Sequence, residues 1–355
     1  MRTTLTQSAL LMAAIPLSAF AQAAPATTPA SIGTSSVTLY GIVDVYVQYG
    51  KGGAGFQNAV QSGGVSGSRL GFKGSEDLGG GLKAVFQLES GIQADTGAFG
   101  QGGLAFGRQA YVGLVSSQWG GLTLGRQNIP QYPLLDSFDP FGTGAGSSAS
   151  SGILSYTARA NNAVVYQTPN WSGFSASTMV AMGESTAGKK TNGDVYGLSA
   201  RYERGPFSAG LAMSDLRRGT DTAFDARYLM LASAYDFGGI KLTGAVQKVN
   251  NLGGVDAKDR LEGLVGVNWS VTEADVLSVG VGASRTSHLD GGSASQWTLG
   301  FAHALSKRTK LYAVLTRINN GSQTSYTADT ATGAGPTTSA GKDVGALQLG
   351  MRHAF

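Results

Sequence analysis

The chain has 355 residues, with 54 glycines, three histidines and no cysteine; charged residues make up 14%, and 26 Lys and Arg against 22 Asp and Glu leave a net charge of +4. Lack of cysteine excludes a disulfide scaffold, an iron–sulfur cluster, a thiol nucleophile and Cys-ligated zinc, and His288, His303 and His353 leave little for metal or triad chemistry. The basic excess is spread thinly, its densest clusters being the pairs Lys189-Lys190 and Arg217-Arg218, unlike the patches of a nucleic-acid binder.

At the N-terminus Arg2 precedes an apolar run from Ala9 to Phe20, too short to span a bilayer. Ala19-Phe20-Ala21 and Ala21-Gln22-Ala23 both fit a small-x-small cleavage site. Residues 1–21 therefore read as a secretory signal peptide, with cleavage after Ala21 or Ala23, and 22–36 as a flexible Ala/Pro/Thr/Ser-rich extension. No later run of ~18 apolar residues exists, so a helical membrane bundle is excluded.

From Val37 onward the pattern has period two, the signature of strands. In Val37 to Tyr49 the odd positions are apolar or Gly and the even ones include Thr38, Asp44 and Gln48. Sixteen such segments are expected: 37–49, 68–78, 81–92, 106–117, 120–128, 162–169, 173–183, 194–204, 206–217, 226–237, 240–250, 260–271, 274–287, 295–306, 309–319 and 344–355. Most approach the ~9–11 residues with which a tilted strand crosses a bilayer. Long Gly/Ser/Asn/Asp-rich connections (50–67, 93–105, 129–161, 184–193, 218–225, 251–259, 288–294 and 320–343) alternate with short ones such as Gly79-Gly80 and Gly238-Gly239. That alternation predicts an all-β fold over 37–355: a 16-stranded antiparallel transmembrane β-barrel with short periplasmic turns and long external loops.

One face of these strands holds Asp44, Arg69, Lys73, Lys83, Glu89, Arg201, Gln348 and Arg352 together with many Gly and Ser, which suits a wet lumen inside an apolar outer band. Tyr40, Tyr49, Tyr111, Trp119, Tyr166, Trp171, Tyr202, Tyr235, Phe237, Trp269, Tyr312 and Phe355 fall near strand ends and are expected to form two interfacial girdles. The longest connection, 129–161, contains Pro130, Pro133, Leu134, Leu135, Phe138, Pro140 and Phe141, an apolar content that suits packing inside a barrel wall.

Several stretches resemble the general porins of neisserial and burkholderial (β-proteobacterial, Gram-negative) type. They are Ser36 to Gly41, Ser68-Arg69-Leu70-Gly71-Phe72-Lys73-Gly74-Ser75-Glu76-Asp77-Leu78 running on to Ala84, Arg108 to Leu114, Leu122 to Gln127, and the C-terminal Leu349-Gly350-Met351-Arg352-His353-Ala354-Phe355. The resemblance covers essentially the whole mature chain. It implies a homotrimer of barrels in the outer membrane, in contact with lipid and lipopolysaccharide, each with its own aqueous channel. It also implies that the third long loop, 129–161, folds into the lumen and narrows it, and that the 93–105 loop latches a neighbouring subunit.

Selectivity in such a channel comes from pore radius and charge at the narrowest point. The candidates for a basic wall are Arg69, Lys73, Arg108, Arg126 and Arg159, facing Asp136 and Asp139 on the loop. Arg69 and Lys73 share the lumen parity of their strand. Arg108 and Arg126 share parity with Val112 and Leu124, so strict alternation points them at lipid; a bulge or a position beyond the hydrocarbon band would turn them inward. The family often carries an acid where this chain has Asn161. The expectation is passive diffusion of ions and small hydrophilic solutes with a weak anion preference, without cofactor, metal, nucleic acid or bond chemistry. A substrate-specific channel or a surface adhesin is the alternative. An enzyme would need a nucleophile–His pair, and His288 with Ser287 and Asp290 beside it in sequence does not make one.

Overall fold

The computed structural model describes residues 35–355 apart from 54, 187–189, 219–223, 329–334 and 337. The expected signal peptide, 1–21, and nearly all of the 22–36 extension lie outside the described residues, while Ser36 already belongs to the first strand. The strands are β1 (Ser36–Gly52), β2 (Gly55–Ser62), β3 (Arg69–Gly79), β4 (Leu82–Gly91), β5 (Gln109–Ser116), β6 (Gly120–Asn128), β7 (Arg159–Gln167), β8 (Phe174–Ala181), β9 (Val195–Arg204), β10 (Phe207–Leu216), β11 (Ala226–Asp236), β12 (Ile240–Asn250), β13 (Arg260–Ser270), β14 (Asp275–Thr286), β15 (Ser293–Ala304), β16 (Thr309–Asn320) and β17 (Val344–Ala354). One short helix, α1 (Gln131–Phe138), lies between β6 and β7.

Neighbours in sequence pair antiparallel except β2 with β3, and β1 pairs with β17, Val45 opposite Met351, so the sheet closes on itself. The other edge of β1 is shared: its later half pairs with β2, Val47 opposite Val60, and its earlier half with β3, Leu39 opposite Phe72. β2 and β3 are thus two halves of one wall strand, and the barrel has sixteen wall positions.

This corrects the reading of 50–67 as a long external loop. The chain turns back at once, Gly52 pairing with Gly55, and its excursion comes later, at 63–68. The alternation of β2 rests on two outward apolar side chains, Phe56 and Val60, between glycine-rich flanks, which is too little to register as a strand. The excursion is organised by Asp44, whose fully buried carboxylate accepts the backbone N–H groups of Gly64 (3.2 Å) and Ser66 (2.9 Å). Ser68 Oγ donates to Asp44 O and accepts from Asp44 N, each at 3.0 Å, so the broken ladder is satisfied by side chains.

Alternation sets what each face carries. Along β11 the outward Leu229, Leu231 and Tyr235 are exposed and the inward Tyr228, Met230, Ala232 and Ala234 are buried. Such an exposed apolar exterior is stable only where hydrocarbon surrounds it. At the short-turn end, Trp171 stacks on Phe174 at 6.4 Å and Tyr235 lies 4.6 Å from Phe237, consistent with one aromatic girdle. Tyr40, Tyr111 and Tyr312 do not belong to a girdle, because all three hydroxyls bond inside the lumen, to Glu89, Gln87 and Asp44. The tight turn between β3 and β4 is made by Gly79, Gly80 and Gly81 at φ +84°, +61° and +79°, a left-handed run that side chains resist.

Between β6 and β7 the chain leaves the wall over 129–158 and folds inward, the return strand beginning at Arg159 rather than 162. Pro133 is tolerated in the first turn of α1, where its missing N–H has no helical partner to lose. Leu134, Leu135 and Phe138 bury one face against β9–β12, and Asp136 stays exposed on the other. The helix stops at Asp139, held extended (φ −81°, ψ 131°) before Pro140.

Candidate pore constriction

The inserted segment covers one half of the lumen wall. Its apolar side chains rest on glycines that face inward from successive strands: Leu134 on Gly210, Pro140 on Gly266, and Phe141 on Gly280 and Gly300. Gly266 and Gly280 are directly opposed partners, so the bare patch is continuous across β13 and β14. A β-carbon at Gly266 would lie 2.3 Å from Pro140 Cγ, and one at Gly300 2.5 Å from Phe141 Cε1. Both distances are far inside van der Waals contact, so nothing but glycine allows this approach.

Buried polar groups then lock the loop's return limb. Glu262 accepts from Ser155 N (2.8 Å), Ser155 Oγ (2.6 Å) and Gln247 Nε2 (2.7 Å). Arg260, 3% exposed at the side chain, donates to Ile153 O (2.9 Å) and Gly152 O (3.0 Å) and lies 3.2 Å from Glu262. Gln296 Nε2 and Thr298 Oγ1 donate to Gly146 O at 2.7 and 2.8 Å, and Ala145 N reaches Gly64 O on the β2–β3 excursion at 2.7 Å. The loop thus spans from β9 round to the gap in the second wall strand.

The opposite half, from β1 and β3 to β7, stays open, and the basic candidates collect there. Arg69 is steered by Gly67 O and Ser66 Oγ, each 2.9 Å away. Arg108 is buried and donates from Nε to Glu89 Oε1 at 2.7 Å; Glu89 Oε2 also accepts from Tyr40 OH at 2.9 Å. Arg159 lies over the Tyr132 ring of α1 at 5.5 Å, and its buried Nε has no hydrogen-bond partner among the described residues. Arg69, Arg108 and Arg159 lie within one another's electrostatic reach, around the single carboxylate of Glu89. Lys73 sits 5.3 Å over the Tyr40 ring. Towards the short-turn end, below α1, the lumen holds a cavity of about 840 Å³ lined by Gln87, Gln109, Thr123, Gln127, Ser177 and Arg201 among others.

Two candidates are placed elsewhere. Arg126 stands opposite Ala110 in the row of the exposed Leu122 and Leu124, and donates to Gly107 O (2.8 Å) and Asn161 Oδ1 (2.5 Å). The ladder does break there, since β7 spends Ala160 to Ala163 against Gly125 to Gln127 of β6. The extra residue lies in β7, so the parity of β6 is unchanged and Arg126 is not turned inward. Asp139 is buried inside the loop, where it accepts from Phe141 N (2.9 Å) and Ser148 N (2.8 Å), and burial pushes its carboxyl up to about 7. It fastens the loop onto itself through these two bonds. Asp136 is exposed and accepts from Thr143 Oγ1 at 2.8 Å. Arg108 escapes the alternation argument because it precedes β5 instead of lying within it.

Sequence reasoning passed over Glu89, Tyr132 and Arg201 as site residues. Arg201 ties α1 to β9, donating to Ser137 Oγ at 3.0 Å and lying 5.6 Å from the Phe138 ring. The lumen parity of Glu89 beside Arg69 was the available signal; the role of Tyr132 depends on where the loop lands.

A family model described as Gram-negative porin matches residues 8–323. The chain is 35% identical over 358 residues to outer membrane porin protein 32 of Delftia acidovorans, covering 95% of this chain and 99% of that one. It is 35% identical to an outer membrane porin protein of Bordetella pertussis, over 85% and 92% of the two chains. Among solved structures, an anion-selective porin from Comamonas acidovorans superposes with a TM-score of 0.81 at 32% identity, over 91% of this chain and 100% of that one.

Proposed function

The chain belongs to the Gram-negative porin family and is an outer-membrane porin, and from that premise we propose that its lumen is a weakly anion-selective path for passive diffusion of small hydrophilic solutes. The observation that carries the preference is the cluster of Arg69, Arg108 and Arg159 around one carboxylate, Glu89, on the open wall. Lys73 adds a further cation below it, and Asp136 is the exposed acid on the loop side. Charges lining a narrow low-dielectric passage act strongly: a pair ~4 Å apart is worth ~4 kcal/mol at an effective dielectric of ~20, against ~1 kcal/mol in bulk water. The net charge of the outer surface therefore matters less than these few groups. The anion-selective title of the Comamonas relative supports the same sign.

The inward tyrosines favour general diffusion over a sugar-stacking track. Tyr40 and Tyr111 are bonded to each other through Gln87, and Tyr312 is turned to Asp44. The reading is of a channel without bond chemistry. A homotrimer is part of it, supported by the connection 92–108, which exposes Phe99 (57%), Leu104 (46%) and Phe106 (38%) for a neighbouring subunit to cover.

Reversal potentials of the purified protein in a planar bilayer under a KCl gradient test the proposal. Conductance steps in threes with a chloride-favouring potential are expected, and Arg69→Glu with Arg159→Glu should bring the potential to the potassium side. A potassium-favouring potential in the unaltered protein overturns the anion preference and passes control to Asp136. Folded protein without current overturns the diffusion reading.

A further inference from the structure

The arginines of the open wall are held in different ways. Arg108 is paired with Glu89 at 2.7 Å, so much of its charge is answered. Arg69 donates to two neutral oxygens, Gly67 O and Ser66 Oγ. The side chain of Arg159 makes no ion pair or hydrogen bond among the described residues; what lies against it is the Tyr132 ring, 5.5 Å from the guanidinium carbon. That is inside the ~6 Å over which the face of a ring attracts a cation.

The ring is itself fixed. Arg159 closes the β6–β7 ladder opposite Asn128. Just beyond it Ile129 N reaches Ala158 O at 3.0 Å and Tyr132 N reaches Ile129 O at 2.9 Å, so ring and guanidinium stand at the neck of the inserted loop. Tyr156, which packs on the apolar cluster of α1, lies against Tyr132 with ring centroids 5.6 Å apart. Thr143 Oγ1 gives its one proton to Asp136 Oδ1 at 2.8 Å, so at 3.0 Å it accepts from Tyr132 OH. Asp136, four residues on and hence on the same helical face as Tyr132, is thereby held to the loop.

We propose that Tyr132 is a positioning residue for ion selectivity: its ring keeps the Arg159 guanidinium in the ion path as an unneutralised charge, apart from Glu89 and Asp136. A carboxylate in place of the ring would cancel the charge that an anion should feel, whereas the ring attracts the cation and leaves its net charge intact. Two carboxylates are at hand to take that place. Glu89 lies within electrostatic reach of Arg159, and Asp136 is one helical turn from Tyr132. With the ring behind it, the guanidinium keeps its N–H groups for charge-assisted hydrogen bonds to a passing anion. The inference rests on the anion preference proposed above and names the side chain that maintains it.

Reversal potentials of the reconstituted full-length protein and its variants under a KCl gradient test it. Tyr132→Leu should move the potential toward zero by as much as Arg159→Gln does, because a released guanidinium pairs with a carboxylate. Tyr132→Met, also without a ring, is the second variant for the same outcome. Tyr132→Phe keeps the ring and should retain most of the chloride preference. Tyr132→Leu added to Arg159→Gln should move the potential no further than Arg159→Gln alone, whereas a role confined to loop structure would add a second shift. An unchanged potential in Tyr132→Leu and Tyr132→Met overturns the proposal. So does a further shift in the double variant, or a loss in Tyr132→Phe equal to that in Tyr132→Leu. A potassium-favouring potential in the unaltered protein overturns the anion preference itself, so the two failures are told apart.

Discussion

The two halves of the lumen wall share one strand pattern and use it in opposite ways. On β9 to β15 the inward positions hold glycines where the loop is seated and buried Arg260, Glu262, Gln247 and Gln296 where it is tied. On β1 and β3 to β7 the inward positions hold longer polar side chains, Arg69, Lys73, Gln87 and Tyr111, with Glu89 buried beside Arg108. On the proposed reading the first half sets the width of the pore and the second its charge. An inward glycine is thus a statement about what must come close, and an inward cation one about what must pass.

If that division holds, variants on the two halves should move different observables. The largest loss is expected from Glu262→Ala, which strips Arg260 of its buried partner; removal of one member of such a pair costs ~3–5 kcal/mol. Denaturant unfolding should register it, and the freed loop should be cleaved by protease and leave a wider, noisier channel. Gly300→Val should act the same way to a smaller extent, ~1–3 kcal/mol, by driving Phe141 off its seat. Unchanged conductance in both variants would show that the loop does not set the pore width.

On the open half, Arg159→Gln should leave unfolding nearly unaltered and bring the reversal potential closer to zero. Arg126→Gln should leave that potential where it was, because its side chain lies in the outward row. Equal shifts from the two would place Arg126 in the path of ions.

The smallest effect concerns pH. In the folded loop Asp139 is raised to about 7, whereas an unfolded aspartate titrates near ~3.9. Its contribution to loop docking is therefore fully present below about pH 4 and is lost as the pH rises through about 7. Open-channel noise should grow across that window, and Asp139→Asn should flatten the dependence while weakening one of the hydrogen bonds from Phe141 or Ser148 by ~1 kcal/mol.

Much of this architecture could be read from residue order. Period-two alternation located all the wall strands to within a few residues except the interrupted one, and turn glycines such as Gly79 to Gly81 marked the tight end. These signals are local: a strand's parity and a turn's φ depend on adjacent residues, and a surround of lipid enforces the parity strictly. The apolar content of the third loop likewise announced that it would be covered.

Other features required the closed barrel. Whether Asp139 would face the lumen or its own loop depended on where Phe141 and Ser148 fell after the chain bent at Pro140. Glu89 became the partner of Arg108, and Arg159 the neighbour of Tyr132, through contacts between segments 19 or more residues apart. Strand alternation says which wall face a side chain takes, but not which side chains meet across the lumen. The path of one loop, seated on glycines and tied by buried hydrogen bonds, settles that here.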